Sequence, residues 1–127
     1  MEEQNSENLW DLQPSLLVPL FKCGRVYLFT DRQVLTRATE ALGVESEELN
    51  SSIGVSRQIE GPDGEYAFVL GVFEGGVSTL VHELAHVTFN IMARVGVTVD
   101  EREDNETFCY MLEELVEFFL PFISKEL

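Results

Sequence analysis

Apolar and polar positions along this chain fall into blocks of different period. Arg25-Val26-Tyr27-Leu28-Phe29-Thr30 is rich in β-branched and aromatic residues and predicts a strand. Asp31 then stands where an N-cap belongs, and Arg32 to Leu42 carries helical spacing up to a stop at Gly43. Glu45, Glu47 and Glu48 open a solvated acidic loop. Val55, Arg57 and Ile59 alternate with Ser56, Gln58 and Glu60, the period-two pattern of a strand with one wet face. Gly61-Pro62-Asp63-Gly64 is turn chemistry, since Pro presets φ and the second Gly tolerates the left-handed region. The return run, Glu65 to Phe73, is apolar on both faces and predicts a strand covered on both sides. Gly75-Gly76 breaks it. A helix N-capped by Ser78 then runs to Val95 and stops at Gly96. An acidic loop, 97–104, leads to a last helix from about Asn105 to Phe119, closing before Pro121. Residues 9–23, interrupted by Pro14 and Pro19, predict a short helix packed on the body.

The order strand, helix, hairpin, helix, helix predicts an α+β fold. Its small, mostly antiparallel sheet packs against the helix ending at Val95 and against the C-terminal helix. Residues 1–8 are polar and read as a disordered tail. Residues 9–127 contain no repeat and no Gly/Ser linker, so they read as a single domain.

Composition narrows the functional classes. The chain has 127 residues, with 8 Lys or Arg against 23 Asp or Glu, a net charge of −15. Such a surface does not neutralise phosphates along a duplex, and it is repelled by anionic lipid. Neither nucleic acid nor membrane is therefore an expected partner. Hydrophobic residues make up 45%, enough for a packed core. The acidic opening, Met1-Glu2-Glu3, is the reverse of a signal peptide's basic start, and the apolar run at 15–21 is too short to span a bilayer. Cytoplasmic residence is the expectation, with Cys23 and Cys109 as free thiols.

The 2 histidines exclude any three-histidine metal site, yet they carry the strongest chemical signal. They are His82 and His86, in His82-Glu83-Leu84-Ala85-His86, which is H-E-x-x-H inside a predicted helix. Residues four apart lie one turn apart on one face, so both imidazoles can address one ion. Zinc accepts neutral imidazole and keeps a fourth position for water in catalytic sites. Glu83 lies on the same side, placed to take a proton from that water. On a wheel with His82 at zero, His86 falls at about 40° and Glu83 at about 100°. Most other positions are apolar, which predicts a largely buried helix with one polar stripe containing the motif.

A carboxylate or thiolate must complete the site. The metzincin extension is excluded, because Phe89 and Met92 stand where that class needs Gly and His. On the last helix Glu106, Tyr110, Glu113 and Glu117 share a face, within about 40° of Glu106. That face is an ordinary solvated stripe beyond its first turn. Glu106, in the first turn, is the leading third ligand, with Asp104 next and Cys109 behind it.

H-E-L-A-H, a loop, and Asn105-Glu106 opening a second helix resemble the gluzincin class of zinc metallopeptidases. The resemblance covers about residues 65–115. It implies a minimal zincin-like fold, one zinc per chain, and a third ligand from the downstream Glu106. It also implies that strand 65–73 is the edge strand that holds extended substrate by β-pairing. Glu103 to Phe108 is also similar to the third-ligand region of ImmA-type cytosolic peptidases, an alignment that moves the ligand to Glu103 or Asp104. In size and acidity the chain resembles compact zincin-like proteins of tailed phages and prophages. Thermolysin-like enzymes place an Asp four residues after the ligand Glu to orient the first His. Tyr110 occupies that position, leaving Glu113 or a backbone carbonyl for the orienting role. Tyr110 is also a candidate oxyanion donor, as well as an ordinary helix tyrosine with a wet hydroxyl.

The expected function is a zinc-dependent peptidase, with His82, His86 and Glu106 on the metal and Glu83 as base. Its substrates are polypeptides, with basic ones favoured by steering. The extra lobe of larger gluzincins is missing, so the cleft is expected to be open, or completed by a protein partner. Two other classes stand beside this one. One is a catalytically silent, zinc-binding structural protein; the other is an acidic mimic of nucleic acid that occupies a DNA-binding protein.

Overall fold

In chain order the elements are α1 (Ser6–Asp11), β1 (Ser15–Leu17), β2 (Arg25–Phe29), α2 (Arg32–Glu40), β3 (Gly54–Glu60), β4 (Tyr66–Val72), α3 (Gly76–Val95) and α4 (Glu106–Ser124). The computed structural model describes residues 6–43, 53–60 and 65–124. The sheet has the order β1-β2-β4-β3. β1 and β2 are antiparallel, as are β3 and β4, whereas β2 and β4 are parallel with Val26 opposite Phe68. The α+β fold with a mostly antiparallel sheet is therefore present, with one parallel pair at its centre.

Helices cover both faces of this sheet. Val26, Leu28, Phe68, Leu70 and Val72 point into one core with Leu80, Leu84, Val87 and Ile91 of α3 and Leu115 and Phe119 of α4. Phe29 and Val69 point the other way, into a smaller core with Trp10, Leu35 and Ala38. Trp10 anchors that second core. Its ring meets Tyr27 and Phe29 edge-on at 4.9 and 5.2 Å, and its Nε1 donates to the Ala38 carbonyl at 3.3 Å. Strand β4 is covered on both faces, as its unbroken apolar run predicts.

Several elements differ from the sequence expectation. Strand 65–73, expected at the sheet edge, lies inside the sheet, and the edge beside α3 is β3. The helix expected over 9–23 is replaced by α1 and by strand β1. Pro14 flanks β1 and contributes its carbonyl, accepting from Leu28 N at 3.0 Å, so its missing N–H costs nothing. Helix α1 begins at Ser6, inside the stretch expected as a tail, while residues 1–5 lie outside the described residues. So do the turn 61–64 and the acidic loop 44–52.

Helix α2 follows the expected signal closely. The Asp31 carboxylate accepts from Gln33 N at 2.9 Å and from Val34 N at 3.3 Å. Helix α3 begins at Gly76, two residues before the expected Ser78, whose Oγ instead donates back to the Gly75 carbonyl at 3.1 Å. Helix α4 runs through Pro121 to Ser124 rather than ending before it. The proline ring lies on the exposed side, while Phe119 and Ile123 are buried on either side of it. Their burial outweighs the one lost helical bond. Among the described residues no helix is long and apolar enough to cross a membrane.

If burial of Ile123 carries the helix past Pro121, Ile123→Ala should lower stability by about 2–5 kcal/mol in urea unfolding. A change within about 0.5 kcal/mol, the ordinary range of a surface substitution, would show that the segment after Pro121 does not pack.

Candidate metal centre

The chain leaves β4 and enters α3 through Gly75, at φ 86, and Gly76, at φ 54. Both values lie in the left-handed region that glycine tolerates. A Cβ on Gly75 would also collide with Thr79 Oγ1. This turn sets the rotation of α3 against the sheet. Leu80, Leu84, Val87 and Ile91 then face the core, and Thr79 and Glu83 lie along its margin at 5% and 7% exposure.

The motif consequently splits. His82 and His86 are exposed, with ring centres 5.0 Å apart and planes at 78°. Glu83, between them in sequence, is buried. This reverses the expected picture of a buried helix with a polar stripe. The exposed arc of α3 also carries Val77, Val81 and Phe89, while a carboxylate lies inside. A wheel gives the angles between residues but not which arc meets the core.

Strand β3 explains how the carboxylate fits. Gly54 lies so close to α3 that a Cβ there would stand 2.6 Å from Thr79 Cγ2 and 2.9 Å from Glu83 Oε2. The missing side chain is the space the Glu83 carboxylate occupies. A cleft of about 310 Å³ opens here, lined by Ile53, Ser78, Thr79, His82 and Glu83. Among the described residues, the Glu83 carboxylate forms no hydrogen bond or ion pair. Among the described residues no buried side-chain oxygen lacks a partner, so the Glu83 carboxylate oxygens reach water. Their exit is the cleft that Glu83 shares with His82.

The acidic candidates lie elsewhere. Glu106 is exposed in the first turn of α4, and Asp104, Glu103 and Cys109 are exposed as well. Tyr110 is 66% exposed and does not line the cleft, and Glu113 is also exposed. Among the described residues no three His, Cys, Asp or Glu side chains come together as a metal site. His82, Glu83 and His86 thus form no three-residue metal site by themselves, and the two exposed imidazoles lie one turn apart on α3.

The loop before Glu106 is nevertheless held firmly. Asn105, at φ 55, accepts from Asp100 N at 2.9 Å and donates to the carbonyls of Asp100 at 2.9 Å and Glu103 at 3.0 Å. Phe89 and Phe108, with ring centres 4.6 Å apart, tie α3 to α4 at the same end. Within this loop the Arg102 side chain, and then its backbone N–H, hold the Asp100 carboxyl below the ordinary carboxylate range.

Sequence reasoning missed Ile53 and Gly54. The signal available was a glycine at the start of a strand, which marks close approach of another segment. Comparison with protein-family models, curated proteins and solved structures gives no match for this chain.

Gly54→Ala should destabilise the fold by about 1–3 kcal/mol through crowding, and Gly54→Ala with Thr79→Ser should recover part of that in a double-mutant cycle. Additive costs would mean that the two residues do not press on each other. Asp100 is lowered in the folded chain, so its contribution to loop order is present above its unfolded value. That contribution is lost as pH falls through the folded value. Its carboxyl carbon should titrate at a higher pH in Arg102→Ala than in the wild type in an NMR titration, and coincident midpoints would remove the Arg102 side-chain contact from solution.

Proposed function

We propose that this protein is a zinc-dependent peptidase, with His82 and His86 as metal ligands and Glu83 as the catalytic base. The observation that carries the reading is the Glu83 carboxylate: 7% exposed, without a partner among the described residues, and facing a cleft that His82 also lines. A carboxylate held in a cleft wall without a side-chain partner, its oxygens open to water, is placed to exchange a proton with a molecule that enters the cleft.

Zinc, when bound, would supply the Lewis acidity that polarises a peptide carbonyl and acidifies water. The rest belongs to the chain. Glu83 takes a proton from the attacking water as the new C–O bond forms. It then returns that proton to the amide nitrogen as the C–N bond breaks. Gly54 keeps room for the carboxylate to do this, and Ser78 and Thr79 line the same cleft. For the third ligand we assign Glu106, on the resemblance to gluzincins, with Asp104 and Glu103 as the competing carboxylates. Tyr110 stays a candidate oxyanion donor on that resemblance alone. The net charge of −15 favours basic polypeptides as substrates.

A second reading, a structural zinc with no hydrolysis, is favoured by one observation. Both imidazoles are exposed, and no third ligand is gathered beside them among the described residues.

Metal analysis and peptide cleavage on the same samples separate the two. The purified chain should hold one zinc, retain it in Glu83→Gln and lose it in Glu106→Ala. Glu83→Gln should lower kcat by at least about 10²-fold, the usual scale of a general base. Zinc without cleavage of any peptide in a library would leave the structural reading. No metal in any sample would sink both.

A further inference from the structure

The cleft beside Glu83 has two walls that diverge from one short segment of chain. One wall is Ser78, Thr79, His82 and Glu83 on α3, which begins at Gly76, two residues after Glu74. The other is Ile53 with Gly54, at the start of β3. Backbone hydrogen bonds fasten this second wall to the segment from which the first departs. The Ile53 carbonyl accepts from Phe73 N at 2.9 Å and from Glu74 N at 3.2 Å. Phe73 and Glu74 are therefore the vertex of the cleft. A shift there moves Gly54 against α3, where a Cβ on Gly54 would already stand 2.9 Å from Glu83 Oε2.

One residue of another element grips both members of this vertex. Arg32, the first residue of α2, donates from Nη2 to Glu74 Oε2 at 3.3 Å, and its guanidinium carbon lies 5.1 Å from the centre of the Phe73 ring. A planar guanidinium stacks on a ring and pairs with a carboxylate at the same time. The ring carries that grip onward to the sheet. It lies over Gly71, where a Cβ would be 2.6 Å from the ring's Cζ and 3.0 Å from Val55 Cγ1, and Gly71 is the register partner of Val55 in β3. Arg32 thus reaches β3 by two routes, through the Phe73 ring towards Val55 and through the 73–74 backbone to Ile53. It does not line the cleft itself, and its helix packs on the sheet face opposite to α3.

We propose that Arg32 is a positioning residue for the Glu83 cleft, holding Phe73 and Glu74 and so setting the β3 wall against α3. Its bearing on catalysis rests on the peptidase reading; its hold on the cleft does not. The paired side chains of Arg32 and Glu74 are 30% and 62% exposed, so their contact adds little to global stability and is screened by salt. A contact of this kind is read in local order and in rate, not in the unfolding midpoint.

Hydrogen exchange at the Phe73 and Glu74 amides, both donors to Ile53, measures the vertex directly on the full chain. Arg32→Ala should speed exchange at these two amides by at least about tenfold, a local opening, while the urea midpoint stays where it is. Arg32→Lys, which keeps the charge without the planar fork, should fall between the two. Arg32→Ala with Glu74→Ala should exchange no faster than Arg32→Ala alone, since both act through one contact. Arg37→Ala, which removes the same charge from the exposed last turn of α2, should match the wild type. In peptide cleavage, Arg32→Ala should lower kcat by about tenfold with KM within about twofold, inside the range that a 1 Å misplacement costs. Unchanged exchange in Arg32→Ala, an unchanged kcat where the wild type cleaves, or an equal effect in Arg37→Ala would overturn the proposal. Faster exchange in a chain whose wild type cleaves no peptide defeats the peptidase reading alone. Cleavage by the wild type with neither exchange nor kcat altered in Arg32→Ala defeats the positioning role alone.

Discussion

Strand β4 sends Phe68, Leu70 and Val72 into one core and Val69 into the other, and both cores close on it. It pairs with β2 on one side and β3 on the other, so its backbone groups are committed as fully as its side chains. Everything else takes its position from this strand. Helix α3 follows it after a tight glycine turn and must lie back across the sheet to bury Leu80, Leu84 and Val87. Helix α4 packs on α3, and α1 with α2 closes the far face. The site is therefore a by-product of how one apolar strand is covered.

Within that arrangement, β3 decides what the motif helix can bury. A side chain larger than glycine at position 54 would push α3 away or turn Glu83 out to solvent. The result is a division of labour along one helical turn, with imidazoles in water and the carboxylate in a cleft wall. The carboxylate keeps contact with water through that cleft, since no buried side-chain oxygen lacks a partner among the described residues.

The sequence was most legible where one local signal dominated. H-E-x-x-H at helical spacing, the Asp31 cap, the alternation from Val55 to Glu60 and the two-faced apolar run before Gly75 each depend on neighbours a few residues away. What could not be read depends on residues far apart in sequence. Pro14 and Pro19 argue against regular structure until β2 offers a partner for Ser15–Leu17. Pro121 ends a helix unless Ile123 has a core to enter. Which side of α3 is wet is set by the sheet, so the motif was found while the burial of Glu83 and the exposure of the histidines were not. Gly54 takes its role from its closeness to Thr79 and Glu83 of α3, which no neighbour in sequence sets. Glu106, read from the Asn105-Glu106 pair, opens α4 just after a loop that the Asn105 side chain organises.

The parallel pairing of β2 with β4 has a consequence for how the molecule assembles. Arg25 pairs with Ala67 across α2 and the whole of β3, whereas Glu60 and Tyr66 need only a short turn and α3 and α4 only a clamped loop. Loop-closure entropy rises with the length of chain enclosed, and non-local pairings are the slow ones. The β3–β4 hairpin and the α3–α4 hairpin are thus the units cheapest to nucleate. The histidine helix then acquires its neighbours on the α4 side before β1 and β2 dock and close the sheet.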